Sequence, residues 1–187
     1  MSGSTSKVDH LSTQDRLRLI RGAFEARAGA YSPYSRFPVG AALLTSDGKL
    51  IKGASIDNAC YSATTCAECT AIVKAVITDD SLRGLQSEGI RNFTALAIVG
   101  LMNWRDGRSE SNINSIITPC GICRQVLNEF CANDMPILLV AGDYLQRLDL
   151  MEPNIEDGVR QTTLGELLPS GFESSHLNAL EKIKTPH

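Results

Sequence analysis

The chain has 187 residues, of which 43% are apolar and 21% charged, and its formal net charge is -3 at pH 7. This size and composition are typical of one globular domain with a buried core. The acidic balance argues against a nucleic acid polymer as partner, because binding a phosphate backbone normally requires a basic face. No apolar run reaches membrane-spanning length, so we expect no membrane partner.

The first residues predict a disordered tail followed by a single domain. Residues 1–10 are polar and lack the apolar run of a secretory signal, so we expect the domain to occupy 11–187 and the protein to be cytoplasmic. In that reducing compartment the six cysteines are expected to remain thiols. Closely spaced cysteines then favour a metal or redox role over disulfide bonds.

The first predicted element is an amphipathic helix over Ser12–Ala28. Its apolar side carries Leu19, Ile20, Ala23 and Phe24. A loop with two prolines covers residues 31–38 and leads into two apolar runs, Val39–Thr45 and Lys49–Ile56. Because the turn residues Ser46-Asp47-Gly48 join these runs, we expect a β-hairpin.

The rest of the chain predicts alternating helices and strands. Apolar spacing indicates helices over Cys66–Ile77 and from Cys120 to about Cys131, and short apolar runs indicate strands over Phe93–Gly100 and Ile137–Gly142. The second of these helices is expected to turn four side chains inward, namely Ile122, Val126, Leu127 and Phe130. A last helical turn is predicted at Gly165–Leu168.

This order of elements predicts an α/β fold in which helices cover a mixed sheet. Two segments, 102–117 and 143–161, are long and polar, and no element is predicted in them. Cys60 and Cys131 lack metal spacing and are predicted to be small buried apolar residues. His10 and His176 are predicted to be exposed, and we assign them no role.

Two cysteine clusters carry the most specific chemistry. Thr65-Cys66-Ala67-Glu68 and Thr118-Pro119-Cys120-Gly121-Ile122-Cys123 each begin a predicted helix. Cys66, Cys120 and Cys123 offer three thiolates to one Zn²⁺, and three protein ligands leave the fourth tetrahedral position open for water, as in catalytic zinc sites. The pattern therefore predicts a catalytic centre with one Zn²⁺ in each chain.

Glu68 stands two residues after the first of these cysteines, where its carboxylate can carry protons. The same glutamate also completes a capping box with Thr65, in which it would only close the start of the helix. Beside three metal ligands we favour the catalytic role. The two roles compete for one side chain.

Three thiolates give a zinc site negative charge, which opposes ionisation of a bound water. Both clusters lie at helix N-termini, whose partial positive charge offsets part of it. Arg124 is adjacent to Cys123 and is expected to add positive potential, so we predict that it tunes the zinc site.

A closed site with four sulfur ligands is the structural alternative. Cys66-x-x-Cys69 and Cys120-x-x-Cys123 are both knuckle-like pairs, and such a site would make the chain a zinc-stabilised binding module without activity. Against this alternative, the pairs lie on long helices with apolar faces, and the presence of Glu68 and Pro119 would be coincidental.

The spacing resembles that of a known enzyme family. A His or Cys, one residue, a Glu and a later Pro-Cys-x-x-Cys are the signature of zinc-dependent cytidine deaminases. The chain carries it at Cys66-Ala67-Glu68 and at Pro119 to Cys123, and it resembles the homotetrameric nucleoside type over most of its length. The resemblance implies a three-layer α/β/α sandwich with a mixed five-stranded sheet. It also implies hydrolytic deamination of cytidine or deoxycytidine to uridine or deoxyuridine plus ammonia, in pyrimidine salvage.

The same resemblance implies the substrate-binding residues. Phe37 resembles the phenylalanine that packs beside the pyrimidine, and Ser55 and Asp57 lie in what looks like the ribose-binding segment. Ala67 is expected to direct a backbone N–H toward the base. Phe172 lies in a motif whose phenylalanine reaches the base in a neighbouring subunit, which implies a homotetramer with shared active sites.

The chain also departs from the family pattern. Relatives usually have Asn and Glu where this chain has the shorter Ser55 and Asp57, and many have Arg where it has Cys69. The stretch between the cysteine clusters is longer than usual, which predicts a surface insertion around 101–117. Because a sugar site discriminates by hydrogen bonding, and reach therefore matters, deamination of a modified cytosine nucleoside such as blasticidin S is the alternative activity.

Overall fold

The computed structural model describes residues 11–78, 93–101, 116–148, 158–173 and 175–177. Within these ranges the elements in chain order are α1 (Thr13–Ala28), β1 (Val39–Thr45), β2 (Leu50–Ala54), α2 (Ala67–Thr78), β3 (Phe93–Gly100), α3 (Gly121–Phe130), β4 (Pro136–Val140), α4 (Tyr144–Leu148), β5 (Val159–Thr163) and α5 (Leu164–Leu167). The predicted tail over 1–10, with His10, and most of the predicted insertion around 101–117 lie outside the described residues.

The five strands form one mixed sheet in the order β2-β1-β3-β4-β5. β3 and β4 are parallel and are joined through α3, whereas the other neighbouring pairs are antiparallel. A parallel pair needs a crossover connection of this kind, while β1 and β2 are joined by the predicted hairpin. The α/β class and the mixed five-stranded sheet are thus confirmed.

Each face of the sheet packs against helices, because side chains alternate along every strand. One core joins α1 to one face through Leu19, Ile20, Ala23, Ala42, Ala97, Val99, Leu138 and Val140. The other core joins α2 and α3 to the opposite face through Ala41, Leu43, Ala71, Ile72, Leu96, Ile98, Leu127 and Leu139. The result is a three-layer sandwich in which α2 and α3 share one layer.

Two glycines let helices approach the sheet very closely. A Cβ atom at Gly40 would lie 2.0 Å from the carbonyl oxygen of Ala23 in α1, and one at Gly53 would lie 2.3 Å from that of Ala67 in α2. No residue with a side chain fits at these separations. Gly53 therefore helps to place the N-terminus of α2 against β2.

Helix α1 begins where its sequence predicts. The backbone N–H of Asp15 donates to the Oγ of Ser12, so Ser12 caps the helix, which then runs to Ala28. The bounds of α2 and α3 also agree with the prediction to within a residue or two at each end. Among the described residues, no helix is both long and apolar enough to cross a bilayer.

The predicted inward position of Ile122 is wrong. Its side chain is 75% exposed, because Cys123 takes the inward position one turn before Leu127 and thereby directs Ile122 toward solvent. The other three predicted positions of this helix do pack toward the core, with Leu127 fully buried and Val126 and Phe130 partly buried.

The prediction that Cys60 is buried is also wrong, whereas that for Cys131 is confirmed. Cys60 precedes a short 3₁₀ turn over Tyr61–Ala63, which holds it at the surface. Its Sγ lies 3.1 Å from the Oγ of Ser62.

The segment over 143–161 contains two elements that its sequence does not predict. Helix α4 is only five residues long, and β5 is a five-residue strand at the edge of the sheet. In β5 the side chain of Val159 is buried, while Gln161, Thr162 and Thr163 are half-buried and Arg160 is exposed. One apolar residue is too weak a pattern to indicate a strand.

Candidate metal centre and active site

The N-termini of α2 and α3 lie side by side and bring the two cysteine clusters together. Cys66 immediately precedes α2, Cys120 occupies the N-cap position of α3, and Cys123 lies in the first turn of α3. The Sγ atoms of all three lie within 4.8 Å of one another. That of Cys120 is 3.9 Å from Cys66 and 3.4 Å from Cys123.

This donor set fits a zinc ion. Zinc–sulfur bonds of about 2.3 Å in a regular tetrahedron place sulfur atoms about 3.8 Å apart, close to the separations found here. A hydrogen bond from the thiol of Cys123 lowers the pKa of Cys66 to about 7, although burial opposes the shift. Its hydrogen-bonding contacts with Cys66 and Cys69, together with burial, raise the pKa of Cys123. A lowered pKa at Cys66 suits a metal ligand, because zinc binds the thiolate form.

Cys69 lies outside the three-sulfur group. Its Sγ is 3.7 Å from that of Cys123, but the set of ligand atoms within 4.8 Å of one another comprises only Cys66, Cys120 and Cys123 among the described residues. The arrangement favours three protein sulfurs and an open fourth position over a closed four-sulfur site.

Glu68 lies beside these sulfurs and is 4% exposed. Burial raises the pKa of its carboxyl group, although its own backbone N–H and the thiol of Cys123 oppose the shift. Because α2 begins at Ala67, Glu68 occupies the second helical position, one short of the position that a capping box requires. The carboxyl group is therefore available for proton transfer.

Cys66, Cys120 and Glu68 line a cavity of about 190 Å³. Its lining includes four of the five predicted substrate-binding residues, namely Phe37, Ser55, Asp57 and Ala67. The cavity is thus bounded by β1, by the segment after β2, and by the starts of α2 and α3. It forms one concave site that contains two of the three candidate metal donors and a buried carboxyl group.

Besides Ser35 and Val39, which stand two residues on either side of the predicted Phe37, the sequence reasoning misses five further lining residues: Tyr61, Thr64, Thr65, Ile117 and Thr118. Thr65 and Thr118 stand next to or near the metal cysteines, so the motif itself could have indicated them. The others reach the cavity only because the 3₁₀ turn and the approach to α3 fold over it, which local sequence does not reveal.

Ser55 and Asp57 are buried and already hold backbone groups. The Oγ of Ser55 accepts a hydrogen bond from the backbone N–H of Val39 at 3.0 Å. The carboxylate of Asp57 accepts from the backbone N–H groups of Tyr34 and Ser35. Ser55 therefore connects the start of β1 to the cavity wall, and Asp57 connects the loop before β1 to that wall.

Arg124 lies among carbonyl oxygens. Its guanidinium donates to the backbone oxygens of Pro119 and Leu167, both at 2.8 Å, and to the Oγ1 of Thr118 at 3.2 Å. It therefore links the segment that carries Cys120 to the end of α5.

Phe172 is outside the residues that line the cavity of its own chain, and its side chain is 57% exposed. Its backbone oxygen accepts hydrogen bonds from Gln125 and Asn128 of α3. Its ring stacks on that of His176, with ring centres 5.4 Å apart. His176 is exposed, as predicted. The aromatic ring is thus held in place and presented outward.

Comparison with known proteins agrees with this geometry. Residues 13–139 match the family model described as the cytidine and deoxycytidylate deaminase zinc-binding region. A cytidine deaminase of Sporosarcina psychrophila is 38% identical over 161 residues, which cover 86% of this chain and 93% of that protein. One of Mycobacterium tuberculosis is 36% identical over 155 residues, which cover 82% and 87%.

Solved structures show the same similarity. The cytidine deaminase of Burkholderia pseudomallei superposes with a TM-score of 0.60 at 35% identity and covers 83% of this chain and 98% of its own. The matched region of the family model includes all three predicted zinc ligands and Glu68. The chain therefore belongs to the cytidine and deoxycytidylate deaminase zinc-binding family.

Proposed function

We propose that this protein catalyses the hydrolytic deamination of cytidine and deoxycytidine to uridine and deoxyuridine with release of ammonia. One observation carries the proposal: three thiols lie within 4.8 Å of one another, and two of them, Cys66 and Cys120, line the same cavity as a buried glutamate. Relatives named cytidine deaminase, at 36 to 39% identity over most of the chain, support the same reaction.

Cys66, Cys120 and Cys123 would hold one Zn²⁺, which supplies Lewis acidity and an activated water near neutral pH. In this reaction a C4–O bond forms, the C4–N4 bond breaks, and water and the nucleoside become the uracil product and ammonia. Glu68 takes the proton of the attacking water and transfers it to N3 of the base. It then delivers a second proton to the departing N4 amine.

The raised pKa of Glu68 suits this shuttle, because a buried carboxyl group holds its proton more readily than an exposed one. Phe37 forms an apolar wall for the pyrimidine, and the backbone N–H of Ala67, at the start of α2, is directed to the base. Ser55 and Asp57 form the wall that we assign to the sugar.

We further propose that the enzyme is a homotetramer and acts in cytoplasmic pyrimidine salvage. Several large apolar side chains of α2, α3 and the C-terminal segment are exposed, among them Val73, Ile77, Ile122 and Phe172. Burying such side chains against another copy would remove apolar surface from water. In that assembly Phe172 reaches the active site of a neighbouring subunit.

The test is steady-state kinetics of the zinc-loaded protein with cytidine, deoxycytidine, free cytosine and blasticidin S, followed by ammonia release. We expect the two nucleosides to be turned over at comparable efficiency. A strong preference for blasticidin S would replace the nucleoside assignment, and no ammonia from any substrate would overturn the enzyme assignment. Arg124 is expected to raise the reactivity of the zinc site at low pH.

A further inference from the structure

Asp57 is bound to the loop that precedes β1. Its side chain is buried, and its Oδ2 accepts hydrogen bonds from the backbone N–H groups of Tyr34 at 3.1 Å and Ser35 at 2.8 Å. Its Oδ1 accepts from the Oγ of Ser35 at 3.0 Å. The backbone N–H of Asp57 donates to the oxygen of Tyr31 at 2.7 Å. One residue thus holds both the start and the middle of the loop.

The side chain of Ser35 connects Asp57 to Phe37 through hydrogen bonds. The hydroxyl of Ser35 donates its proton to Asp57 and accepts a hydrogen bond from the backbone N–H of Phe37 at 3.1 Å. Between them, Arg36 has a φ of 54°, a left-handed conformation that is unfavourable for a residue with a side chain. Such a conformation persists where the surrounding contacts enforce it. Here the enforcing contacts come from Asp57 and Ser35, together with the hydrogen bond that the backbone N–H of Arg36 donates to the oxygen of Ser32 at 3.0 Å.

After the turn at Arg36, Phe37 lies in the wall of the cavity. The position of the ring therefore depends on the turn, and the turn depends on the carboxylate of Asp57. A direct bond from Asp57 to a sugar hydroxyl is the competing role, and the geometry disfavours it. A carboxylate offers about four lone-pair positions, and the loop takes three of them.

Ser55 is better placed for the sugar. Its Oγ accepts the N–H of Val39, which leaves its hydroxyl proton free to donate into the cavity that it lines. We infer that Asp57 is a positioning residue, which acts on the pyrimidine by fixing Phe37 through Ser35, and that Ser55 makes the polar contact to the sugar. This inference rests on the proposed deamination of cytosine nucleosides.

Two substrates separate the roles. Cytidine and 2′,3′-dideoxycytidine share the base, but the second lacks both ring hydroxyls. We expect Asp57→Asn to lower kcat/KM at least about tenfold, and by the same factor within about threefold for both substrates, because the amide cannot accept every bond from the loop. A penalty that appears with cytidine and vanishes with dideoxycytidine would show a direct sugar contact and overturn the inference.

A double-mutant cycle tests whether Asp57 acts through the loop. Ser35→Ala should cause a loss similar to that of Asp57→Asn, and the double variant should be little worse than the more damaged single variant. In a Phe37→Ala background, Asp57→Asn should cost almost nothing further. Additive losses in either cycle would contradict action through the loop. They would mean either that Asp57 acts by another route or that its replacement damages the fold in general.

Trypsin supplies a readout that is independent of activity. Cleavage after Arg36, identified by mass spectrometry, should accelerate in Asp57→Asn and Ser35→Ala. Asp47→Asn is the matched control, since it makes the same change in the β1–β2 turn, at the other end of β1, and should leave this cleavage unchanged. Unaltered cleavage in Asp57→Asn would overturn the inference. A wild-type protein inactive on both nucleosides would instead contradict the proposed function, and the proteolysis would still test the loop.

Discussion

The Sγ of Cys69 lies 3.7 Å from that of Cys123, so a fourth thiol touches one of the proposed zinc ligands without joining their group. If Cys123 binds a metal as a thiolate, the thiol of Cys69 can donate a weak hydrogen bond to it and thereby withdraw some of its charge. Cys69 stands where many members of the family carry an arginine, which offsets sulfur charge more strongly. Metal binding through three sulfurs therefore requires that Cys69 stays close to the metal without becoming a fourth ligand.

Replacement of Cys69 by alanine should leave the zinc stoichiometry at one per chain. Zinc X-ray absorption should show three sulfur neighbours and at least one oxygen or nitrogen in both the wild type and Cys69→Ala. Cys120→Ala is the control that should lose a sulfur. Loss of a fourth sulfur on substitution of Cys69 would instead establish the closed, non-catalytic site.

Replacement of Glu68 by glutamine should lower kcat by several orders of magnitude, because the amide can fill the same space but cannot carry the protons. Zinc content and circular dichroism should be unchanged. Glu129→Gln makes the same change at an exposed position of α3 and should keep full activity. Wild-type turnover in Glu68→Gln would assign the proton transfer to another residue.

Arg124 should affect both stability and pH dependence. Arg124→Ala removes donors to Pro119, Leu167 and Thr118, so we expect the free energy of unfolding to fall by roughly 1–3 kcal/mol. It should also slow turnover and shift the acidic limb of the pH–rate profile to higher pH, since lost positive potential raises the pKa of a zinc-bound water.

Arg124→Lys separates these two effects. Lysine keeps the charge but cannot reproduce the forked set of hydrogen bonds. Its pH–rate profile should resemble that of the wild type while its stability stays reduced. An acidic limb that does not move in Arg124→Ala would leave Arg124 with a structural role alone.

Stability should depend on the charge of Glu166. Its carboxylate accepts hydrogen bonds from the Oγ1 of Thr162 and the backbone N–H of Thr163, which lower its pKa below the ordinary value of 4.5. A lowered native pKa means that the carboxylate stabilises the fold above about pH 4.5 and that this contribution disappears as the pH falls further.

Urea unfolding at pH 7 and pH 3 checks this expectation. Glu166→Gln should be less stable than the wild type at pH 7, and the two proteins should converge at pH 3. A difference that stays constant with pH would show that the charge of Glu166 contributes nothing.

Mixed oligomers test the assignment of Phe172. If a site combines Glu68 of one subunit with Phe172 of its neighbour, then Glu68→Gln and Phe172→Ala proteins should each be nearly inactive. Mixing them under conditions that exchange subunits should restore part of the activity, since some sites then contain both intact residues. Leu177→Ala is a control at another exposed apolar position. Activity that does not rise on mixing would contradict a shared site.

The sequence predicts the metal centre better than the rest of the site. Cys66, Glu68, Cys120 and Cys123 are recognisable because zinc chemistry requires particular donors at short spacings, and the structure places their side chains together. The hairpin and the helices are likewise predictable, because turn residues and apolar periodicity are local signals.

Other features depend on distant parts of the chain. Val159 is the only buried residue in β5, so pairing with β4 defines that strand more than its own pattern does. Ile122 and Cys123 are adjacent, and only the docking of α3 on the sheet decides which one turns inward. The bonds from Asp57 to Ser35 join residues 22 positions apart, beyond the reach of any local pattern.

Gly53 has a consequence for chemistry that takes place elsewhere. A methyl group there would meet the backbone of α2 at Ala67 and Ala71, at distances of 2.3 and 2.4 Å, and the helix would have to move away. Cys66 and Glu68 would move with it, while Cys120 and Cys123 stayed behind on α3. The zinc-binding geometry and the position of Glu68 therefore depend on the absence of a side chain at Gly53, a residue that contacts neither the metal nor the nucleoside.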